Sequence, residues 1–115
     1  MVSPVEKRLD HTLIALADPT RRAILRLLAR GKTRVTDVAK PFDISLNSVS
    51  KHIRILERAK LVTRERLGRE HWLAFNRQPL DEAAAWIEAQ RTFWNERLDA
   101  LERELNKMDE GESTP

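Results

Sequence analysis

The segment from Val35 to Leu56 narrows the possible folds of this chain most, because it predicts two short amphipathic helices separated by a tight polar joint. Ser45 stands where an N-cap residue belongs, so we expect the second helix to begin at Leu46. The i, i+4, i+7 and i+11 positions of that helix predict one inward-facing stripe, formed by Val49, Ile53, Leu56 and Lys60. This layout is typical of a helix-turn-helix, although an ordinary helical hairpin inside a core has the same periodicity.

The face of the second helix opposite that stripe is small, polar and basic. Side chains of this kind near a free helix N-terminus suit phosphates and base edges. Asn47 can pair with adenine, and Lys51 or Arg54 can address guanine or phosphate. We therefore predict a DNA-binding surface on this helix, which consists of Ser45, Asn47, Ser48, Ser50, Lys51, His52 and Arg54.

Two stretches with strand-like alternation follow, LVTRERL and EHWLAF, and they are interrupted at Gly68 and Arg69. They predict a β-hairpin with a glycine-bearing turn. A hairpin placed directly after a DNA-reading helix is a wing, and arginine near its tip can follow the phosphate backbone or enter a minor groove. We therefore add Arg64, Arg66 and Arg69 to the predicted DNA-binding residues.

Charge is distributed unevenly along the chain. Residues 19–77 contain 15 Lys and Arg against 5 Asp and Glu, a net charge of +10, within a chain whose total is only +3. Residues 78–115 contain 4 basic against 10 acidic residues, a net charge of −6. This asymmetry is expected when one part of a protein meets a polyanion, and an arginine-rich solvated face is the alternative.

Two helices are predicted before the helix-turn-helix. The first covers Pro4–Leu16, and the second starts after an N-cap at Asp18 with Pro19 in its first position and ends at Gly31. Arg22 lies in the first turn of the second helix, where a basic residue opposes the helix dipole. We predict a phosphate contact for Arg22, with a surface ion pair as the alternative.

The final helix is predicted from about Leu80 to Met108. It bears a heptad seam with spacings of 4, 3, 4 and 3, formed by Trp94, Leu98, Leu101, Leu105 and Met108, and a neighbouring aromatic strip formed by Trp86 and Phe93. A helix of this length overruns the core of its own domain. We therefore predict that its apolar face packs against a second copy of the chain, with internal packing of part of the seam as the alternative. The predicted interface residues on this helix are Trp86, Phe93, Trp94, Leu98, Leu101 and Leu105.

Three motifs in this order resemble the ArsR/SmtB family of bacterial winged-helix repressors. They are LADPTRRAILRLLARG at 16–31, SLNSVSKHIRILERAKLV at 45–62 and RERLGREHWLAF at 64–75. The resemblance implies a homodimeric transcription regulator whose recognition helix enters the major groove with the wing beside it. It also implies that the first and last helices build the dimer, which adds Leu9 and Leu13 to the predicted interface.

Family members often sense metals, but the ligands of those sensors are missing here. Arg34 and Thr36 replace the cysteine pair beside the position of Asp37, and no histidine follows His71 to complete a second site on the last helix. The histidines have no recognised ligand spacing. We predict neither a metal nor a cofactor, and a packing or phosphate role for His52.

The 115-residue length predicts one domain, 1–108, with dimerisation helices at 4–16 and 80–108 and a disordered acidic tail at 109–115. The chain has no cysteine, which excludes disulfides. Its longest wholly apolar run is too short to span a bilayer and its N-terminus lacks a signal-peptide profile, so we expect a cytoplasmic protein. No nucleophile-base arrangement or phosphate loop indicates an enzyme.

Together these features predict a mainly α fold with a small β-hairpin, a winged helix-turn-helix of about five helices and a two-stranded antiparallel wing. The predicted function is sequence-specific binding of double-stranded DNA by a homodimeric repressor at an inverted-repeat operator. An unidentified small-molecule inducer is a further candidate partner. The alternative function is a winged-helix module that docks a partner protein without reading DNA.

Overall fold

The computed structural model describes residues 3–112. Its elements are α1 (Pro4–Leu16), α2 (Pro19–Leu28), β1 (Thr33–Arg34), α3 (Val35–Ala39), α4 (Leu46–Arg58), β2 (Val62–Leu67), β3 (Glu70–Phe75) and α5 (Gln78–Glu112). The chain divides into two compact units, one up to Ala83 and one from Ala84 onward. The predicted fold, a mainly α winged helix-turn-helix with five helices, is confirmed.

A buried core fills the first unit and fixes which face of α4 looks outward. Val49, Ile53 and Leu56 of the predicted stripe are at most 1% exposed, and Ile24 and Leu28 of α2 are at most 2% exposed. Burying one such side chain stabilises the fold by about 1.5–3 kcal/mol, so rotating α4 out of this orientation is strongly unfavourable. The other apolar members of the core are Ala15, Leu25, Val38, Ala59, Leu61, Val62 and Leu73.

Side-chain caps start the first two helices. The Ser3 hydroxyl accepts a hydrogen bond at the start of α1, which has the predicted bounds. Asp18 is the predicted N-cap of α2, and its Oδ1 accepts the backbone N–H groups of Thr20 at 2.8 Å and Arg21 at 3.1 Å. Pro19 follows in the first turn, where its missing N–H is no loss. These two residues therefore determine where α2 begins.

The second helix ends at Leu28, which is earlier than predicted. The N–H groups of Arg30 and Gly31 donate to carbonyl oxygens three residues back, at 3.2 and 3.1 Å, in the tighter 3₁₀ pattern that often closes a helix. Gly31 then adopts φ 155, a conformation that side chains disfavour. The chain therefore turns at the predicted glycine after an irregular last turn.

Our prediction that Lys60 belongs to the inward stripe of α4 is wrong. Lys60 is exposed and has φ 63. Its N–H donates to the Glu57 carbonyl, and the Leu61 N–H donates to the Leu56 carbonyl, each at 3.0 Å. This pair of bonds is the Schellman ending of a helix. The left-handed conformation of a residue with a side chain costs about 1–2 kcal/mol, and the lysine charge beside the last carbonyls offsets part of that cost.

The predicted hairpin is present. Strands β2 and β3 pair antiparallel from Val62 opposite Phe75 to Leu67 opposite Glu70. The two-residue turn begins with Gly68 at φ 66, which is the sign of φ that a type II′ turn requires at its first central position. The sequence pattern therefore located both the strands and the turn of the wing.

The sheet has three strands in the order β1-β3-β2, so a third strand that was not predicted joins the predicted two-stranded wing. In β1, Thr33 pairs with Leu73 and Arg34 pairs with Trp72 of β3. A two-residue strand is too short to show any alternation, and its partner lies some 40 positions further along the chain. The third strand is therefore a product of tertiary contact and attaches the wing to the start of α3.

The last helix is longer than predicted at both ends. It starts at Gln78 and continues through Glu112, so residues 109–112 of the predicted tail are helical. Once a helix is nucleated, each further residue extends it at little cost. Residues 113–115 lie outside the described part of the chain. Within the described residues, no helix has the length and apolar character needed to cross a membrane.

Candidate nucleic-acid interface

Two serines cap the N-terminus of α4. Ser45 is the N-cap, as predicted, and its hydroxyl oxygen accepts the Ser48 backbone N–H at 3.1 Å. The two hydroxyl oxygens also lie 3.1 Å apart in a hydrogen bond. This cap fixes the direction of the first turn, in which Asn47 is exposed. The positive end of the α4 dipole and the Asn47 amide therefore face solvent together.

The outward face of α4 carries side chains that are free to bind. Lys51, Arg54 and Arg58 are exposed, like Asn47. None of these four side chains has a hydrogen bond or ion pair with any residue between 3 and 112. Ser50 is half-buried beside them. The folded domain therefore presents a cationic helix face whose donors are not used internally.

His52 lies at the edge of that face and is only half-buried. Its Nδ1 accepts a hydrogen bond from Arg21 Nη1 at 3.2 Å and lies 3.9 Å from Asp18 Oδ1. Arginine has only donors, so Nδ1 is the acceptor in this contact and Nε2 is the ring nitrogen that is left to donate. The Nε2–H is then the donor that a phosphate could use. The structure therefore links the recognition helix to the start of α2.

Arg21 and Arg22 close the C-terminus of α1. Arg21 Nε donates to the Ala15 carbonyl and its Nη2 to the Ile14 carbonyl, both at 2.8 Å, while Arg22 Nη1 donates to the Leu16 carbonyl at 2.6 Å. The last carbonyls of a helix have no N–H partner in a following turn, so the arginines supply donors to them here, and the Ile14 carbonyl also accepts the Ala17 N–H at 3.2 Å. This contact explains why two arginines occupy the first turn of α2 despite its dipole. The Arg22 side chain remains exposed, and its phosphate contact stays a prediction.

The three wing arginines differ in what they bind. Arg64 pairs with Glu57 of α4 through Nη2–Oε1 at 2.8 Å and Nε–Oε2 at 3.3 Å. Arg66 Nε donates to the Gly68 carbonyl at 3.1 Å and so braces the turn. Arg69 is exposed at the tip and has no such partner among residues 3–112. Arg69 is therefore the wing arginine that is most available to DNA.

A basic cavity lies between the wing and the start of α3, and the sequence did not predict it. Its volume is about 330 Å³, and its lining includes Arg34, Arg64, Arg69 and His71. In the sequence analysis, Arg34 was considered only as one of two residues that replace the cysteine pair of the family's metal sensors. The pairing of β1 with β3 brings Arg34 beside the wing, and no local pattern contains that information.

Arg34 is held by two carboxylates and one aromatic ring. Its guanidinium lies 2.9 Å from Asp37 and 3.1 Å from Glu70, and its Cζ lies 5.9 Å from the centre of the Trp72 ring. The hydrogen bonds that Arg34 donates to Asp37 and Glu70 raise the pKa of its guanidinium. The hydrogen bond from Lys40, and then that from Arg34, hold the pKa of Asp37 below its usual value. Arg34 thus stays charged at the rim of the cavity.

The predicted dimer residues are partly or largely exposed to solvent in both units of the chain. In the first unit, Leu9 is half-buried and Leu13 is 43% exposed. In the second unit, the six predicted residues of α5 are 43–60% exposed. Ile87 is 48% exposed and lies one heptad before Trp94, so it extends the seam and is an interface candidate that the sequence reasoning missed. The same 4-and-3 spacing, followed backwards, could have found it.

Metal binding finds no support in the arrangement of side chains. Among the described residues, no three His, Asp or Glu side chains are grouped so that they could hold a metal ion. His52 and Asp18 approach each other, but Arg21 occupies the ring nitrogen between them. The basic face of α4 and the wing is the strongest candidate site on the molecule.

Known proteins with similar sequences are transcriptional repressors or regulators by name. Residues 16–65 match the model of a helix-turn-helix domain. The chain is 34% identical over 79 residues to the transcriptional repressor SdpR of Bacillus subtilis, and the match covers 69% of this chain and 88% of that protein.

Solved structures show the same fold. A crystal structure of an ArsR family transcriptional regulator matches with a TM-score of 0.73 and 40% identity, over 76% of this chain and 97% of the other. The homodimeric winged helix-turn-helix DNA-binding domain of a possible ArsR-family regulator from Mycobacterium bovis matches in fold with a TM-score of 0.58, at 23% identity, over 82% of this chain and 84% of that chain. The extent and identity of these matches, together with the geometry of α4 and the wing, show that this chain belongs to the ArsR family of winged helix-turn-helix transcriptional regulators.

Proposed function

We propose that this protein is a homodimeric repressor that reads an inverted-repeat operator with α4 and flanks it with the wing. The observation that carries the proposal is the outward face of α4, where Asn47, Lys51, Arg54 and Arg58 are exposed with no internal partner among the described residues. A cationic helix face beside a polar N-terminus suits the major groove.

Base reading is assigned to the first two turns of α4. The Asn47 amide can donate to and accept from adenine, while Lys51 and Arg54 can donate to guanine or to phosphate. Two such helices in a symmetric dimer would enter successive major grooves about 34 Å apart. An operator with two half-sites in inverted orientation follows from that symmetry. Occupying a promoter in this way would exclude the polymerase.

The wing is assigned backbone contacts. Arg69 at its tip supplies a free guanidinium, and Arg34 and His71 line the cavity that leads to it. Arg64 is assigned a positioning role, because its ion pair with Glu57 fixes the wing against α4. Contacts to phosphate carry no sequence information, so the wing would add affinity to every DNA.

Dimerisation is assigned chiefly to the seam of α5. A monomer would leave Trp94, Leu98, Leu101 and Leu105 more than half exposed along one face. Exposed apolar patches of this kind usually mark an interface. A heptad spacing is suited to knobs-into-holes packing against an identical helix. Leu9 and Leu13 of α1 belong to the same proposed interface.

The proposal places the protein in the bacterial cytoplasm, where the DNA lies, and assigns it a binding role and no catalysis. Release from DNA would require a signal. A small-molecule inducer, a partner protein and the protein's own concentration are the three candidates that the sequence leaves open.

The test is a fluorescence-anisotropy titration of the DNA upstream of the protein's own gene, with a scrambled duplex as comparison, between about 50 and 200 mM salt. We expect the protein to bind the upstream duplex more tightly than the scrambled duplex at about 200 mM salt. Its affinity for the upstream duplex should fall by roughly 10³ to 10⁵ across the salt range, as about six to ten phosphate contacts imply.

A matched pair of variants sharpens this test. Lys51→Ala/Arg54→Ala should abolish the preference for the upstream duplex, whereas Arg103→Ala on the exposed surface of α5 should not change it. Equal and weak binding of both duplexes, with a salt response that Lys51→Ala/Arg54→Ala leaves intact, would favour the protein-docking alternative over DNA reading.

A further inference from the structure

A groove lies between α2 and the joint that connects α3 to α4. It has a volume of about 270 Å³ and opens to solvent. Its lining combines apolar and cationic side chains, and consists of Ala23, Arg26, Leu27, Arg30, Pro41 and Phe42. The DNA-binding proposal uses none of these residues.

The floor of the groove is apolar. Leu27 and Phe42 are half-buried and pack against the core, and each leaves part of its side chain facing the groove. Ala23 and Pro41 add apolar surface beside them. A bare phosphate would not be stabilised by an apolar floor. An alkyl or aryl group that covers the floor stabilises binding, because apolar surface on both sides is removed from water.

The rim of the groove carries two cations without counter-ions. Arg26 and Arg30 are exposed and lie four residues apart, and neither has a carboxylate partner in the described part of the chain. Elsewhere in the first unit, Arg8, Arg34 and Arg64 each pair with a carboxylate. The C-terminal carbonyls of α2 favour one nearby cation. They do not account for two guanidiniums that line the same apolar groove.

We propose that this groove binds an amphipathic organic carboxylate. The carboxylate would lie between the Arg26 and Arg30 guanidiniums, whose planar donors suit a two-oxygen acceptor. The alkyl or aryl body would cover Leu27 and Phe42. Charge complementarity selects an anion, and the apolar floor selects against inorganic phosphate and the DNA backbone.

The place of the groove in the fold gives binding a consequence. Pro41 and Phe42 belong to the joint that sets α4 relative to α3, and the Phe42 N–H donates to the Ala39 carbonyl at 3.2 Å. A ligand that contacts this joint better in one arrangement than in another shifts the population of α4 positions. Ligand binding would therefore change DNA affinity, and this regulatory step alone rests on the proposed function.

The test uses the full chain, labelled with ¹⁵N, in the absence of DNA. The probe is 4-phenylbutyrate, and the comparison compound is the neutral 4-phenylbutan-1-ol. We expect saturable amide shifts confined to residues 23–30 and 39–44, and an affinity for the alcohol that is weaker by about tenfold or more, since the charge-assisted hydrogen bonds are lost.

Two variants and a control locate the site. Arg26→Gln/Arg30→Gln should weaken 4-phenylbutyrate binding by about tenfold or more. Ala23→Leu should block it by filling the groove, and Arg103→Gln should leave it unchanged. Circular dichroism and thermal melting would show that each variant folds. Shifts elsewhere on the chain, equal affinity for the acid and the alcohol, or unchanged binding by Arg26→Gln/Arg30→Gln would overturn the proposal.

Two further measurements separate this proposal from the proposed function. If inorganic phosphate produces the same shifts as 4-phenylbutyrate at equal concentration, the groove is a simple anion site and the apolar selection is wrong. If 4-phenylbutyrate fails to bind while Arg26→Gln/Arg30→Gln weakens operator binding, the two arginines contact DNA, and the ligand proposal fails while the regulator function stands.

Discussion

At the scale of single residues, Asp18 connects helix formation with the recognition helix. Its Oδ1 caps α2 through the N–H groups of Thr20 and Arg21, and it lies 3.9 Å from His52 of α4. The Arg21 N–H bond is the main cause that holds the pKa of Asp18 below its usual value although burial opposes this shift, and the Thr20 N–H bond acts in the same direction. The Asp18 carboxylate therefore stabilises the N-terminus of α2 at the point where it lies close to α4.

We predict that Asp18→Ala lowers the free energy of unfolding by about 0.5–2 kcal/mol at neutral pH, the usual effect of losing an N-cap. The folded-state pKa is depressed, so the contribution of the charge is present above the unfolded-state pKa and is lost as pH falls through the folded-state pKa. The difference between wild type and Asp18→Ala should therefore shrink in acid. Urea unfolding from pH 7 to pH 3 measures it.

The control for this prediction is Asp18→Asn, which keeps an acceptor for the cap but has no charge to titrate. Its stability should lie between those of wild type and Asp18→Ala at pH 7. If the difference in the free energy of unfolding between wild type and Asp18→Asn stays constant down to pH 3, the charge of Asp18 contributes nothing to stability.

At the scale of elements, α4 and the wing divide the proposed DNA contacts. Asn47 is exposed in the first turn of α4, next to a cap that fixes the helix direction. Arg69 lies on a two-residue turn that the positive φ of Gly68 allows. A rigid helix end can read base edges, whereas a guanidinium at a hairpin tip can reach phosphate.

We predict that Asn47→Ala and Arg69→Ala weaken DNA binding in different ways. Asn47→Ala should cost about 1–3 kcal/mol per half-site and relax the preference at one base position. Arg69→Ala should weaken all duplexes alike and reduce the salt slope by about one phosphate contact per subunit. Anisotropy titrations against a set of single-base operator variants, at three salt concentrations, measure both effects.

Arg66→Ala is the matched control on the same strand pair, because Arg66 braces the turn through the Gly68 carbonyl. It should act through the shape of the wing and give a smaller loss than Arg69→Ala. A sharp change of sequence preference caused by Arg69→Ala would show that the wing reads bases and would refute the assignment of backbone contacts.

At the scale of the whole molecule, the chain separates charge and apolar surface along its length. Residues 19–77 have a net charge of +10, and residues 78–115 have a net charge of −6. The acidic part also carries the exposed heptad seam from Trp94 to Met108. The basic first unit is suited to a polyanion, and the seam of the second unit is suited to a copy of itself.

We predict that Leu98→Gln/Leu101→Gln shifts the protein from dimer to monomer. Each buried leucine stabilises an interface by about 1.5–3 kcal/mol, and four leucines change per dimer. Sedimentation equilibrium at micromolar concentration measures the shift, and circular dichroism follows folding. Ala100→Gln, which lies between the two leucines in sequence but off the seam, should remain dimeric. A stable dimer of the double leucine variant would show that the dimer interface does not lie on the seam of α5.

The sequence by itself determined the elements that local chemistry controls. The caps at Asp18 and Ser45, the inward spacing of Val49, Ile53 and Leu56, and the turn at Gly68 are all short-range signals, and each was found where it was predicted. The α1 bounds and the family resemblance followed from the same local patterns. These features could be read because each depends on neighbours within one helical turn or one hairpin.

Only the tertiary structure decided the contacts that no periodic pattern of the sequence contains. It paired β1 with β3, moved Lys60 from the core stripe to a left-handed helix end, and joined Arg64 to Glu57. It also directed Arg21 to the carbonyls of α1 and to His52. The physical reason is that a guanidinium or a two-residue strand has no periodicity of its own, so its partner is chosen by the packing of the folded core.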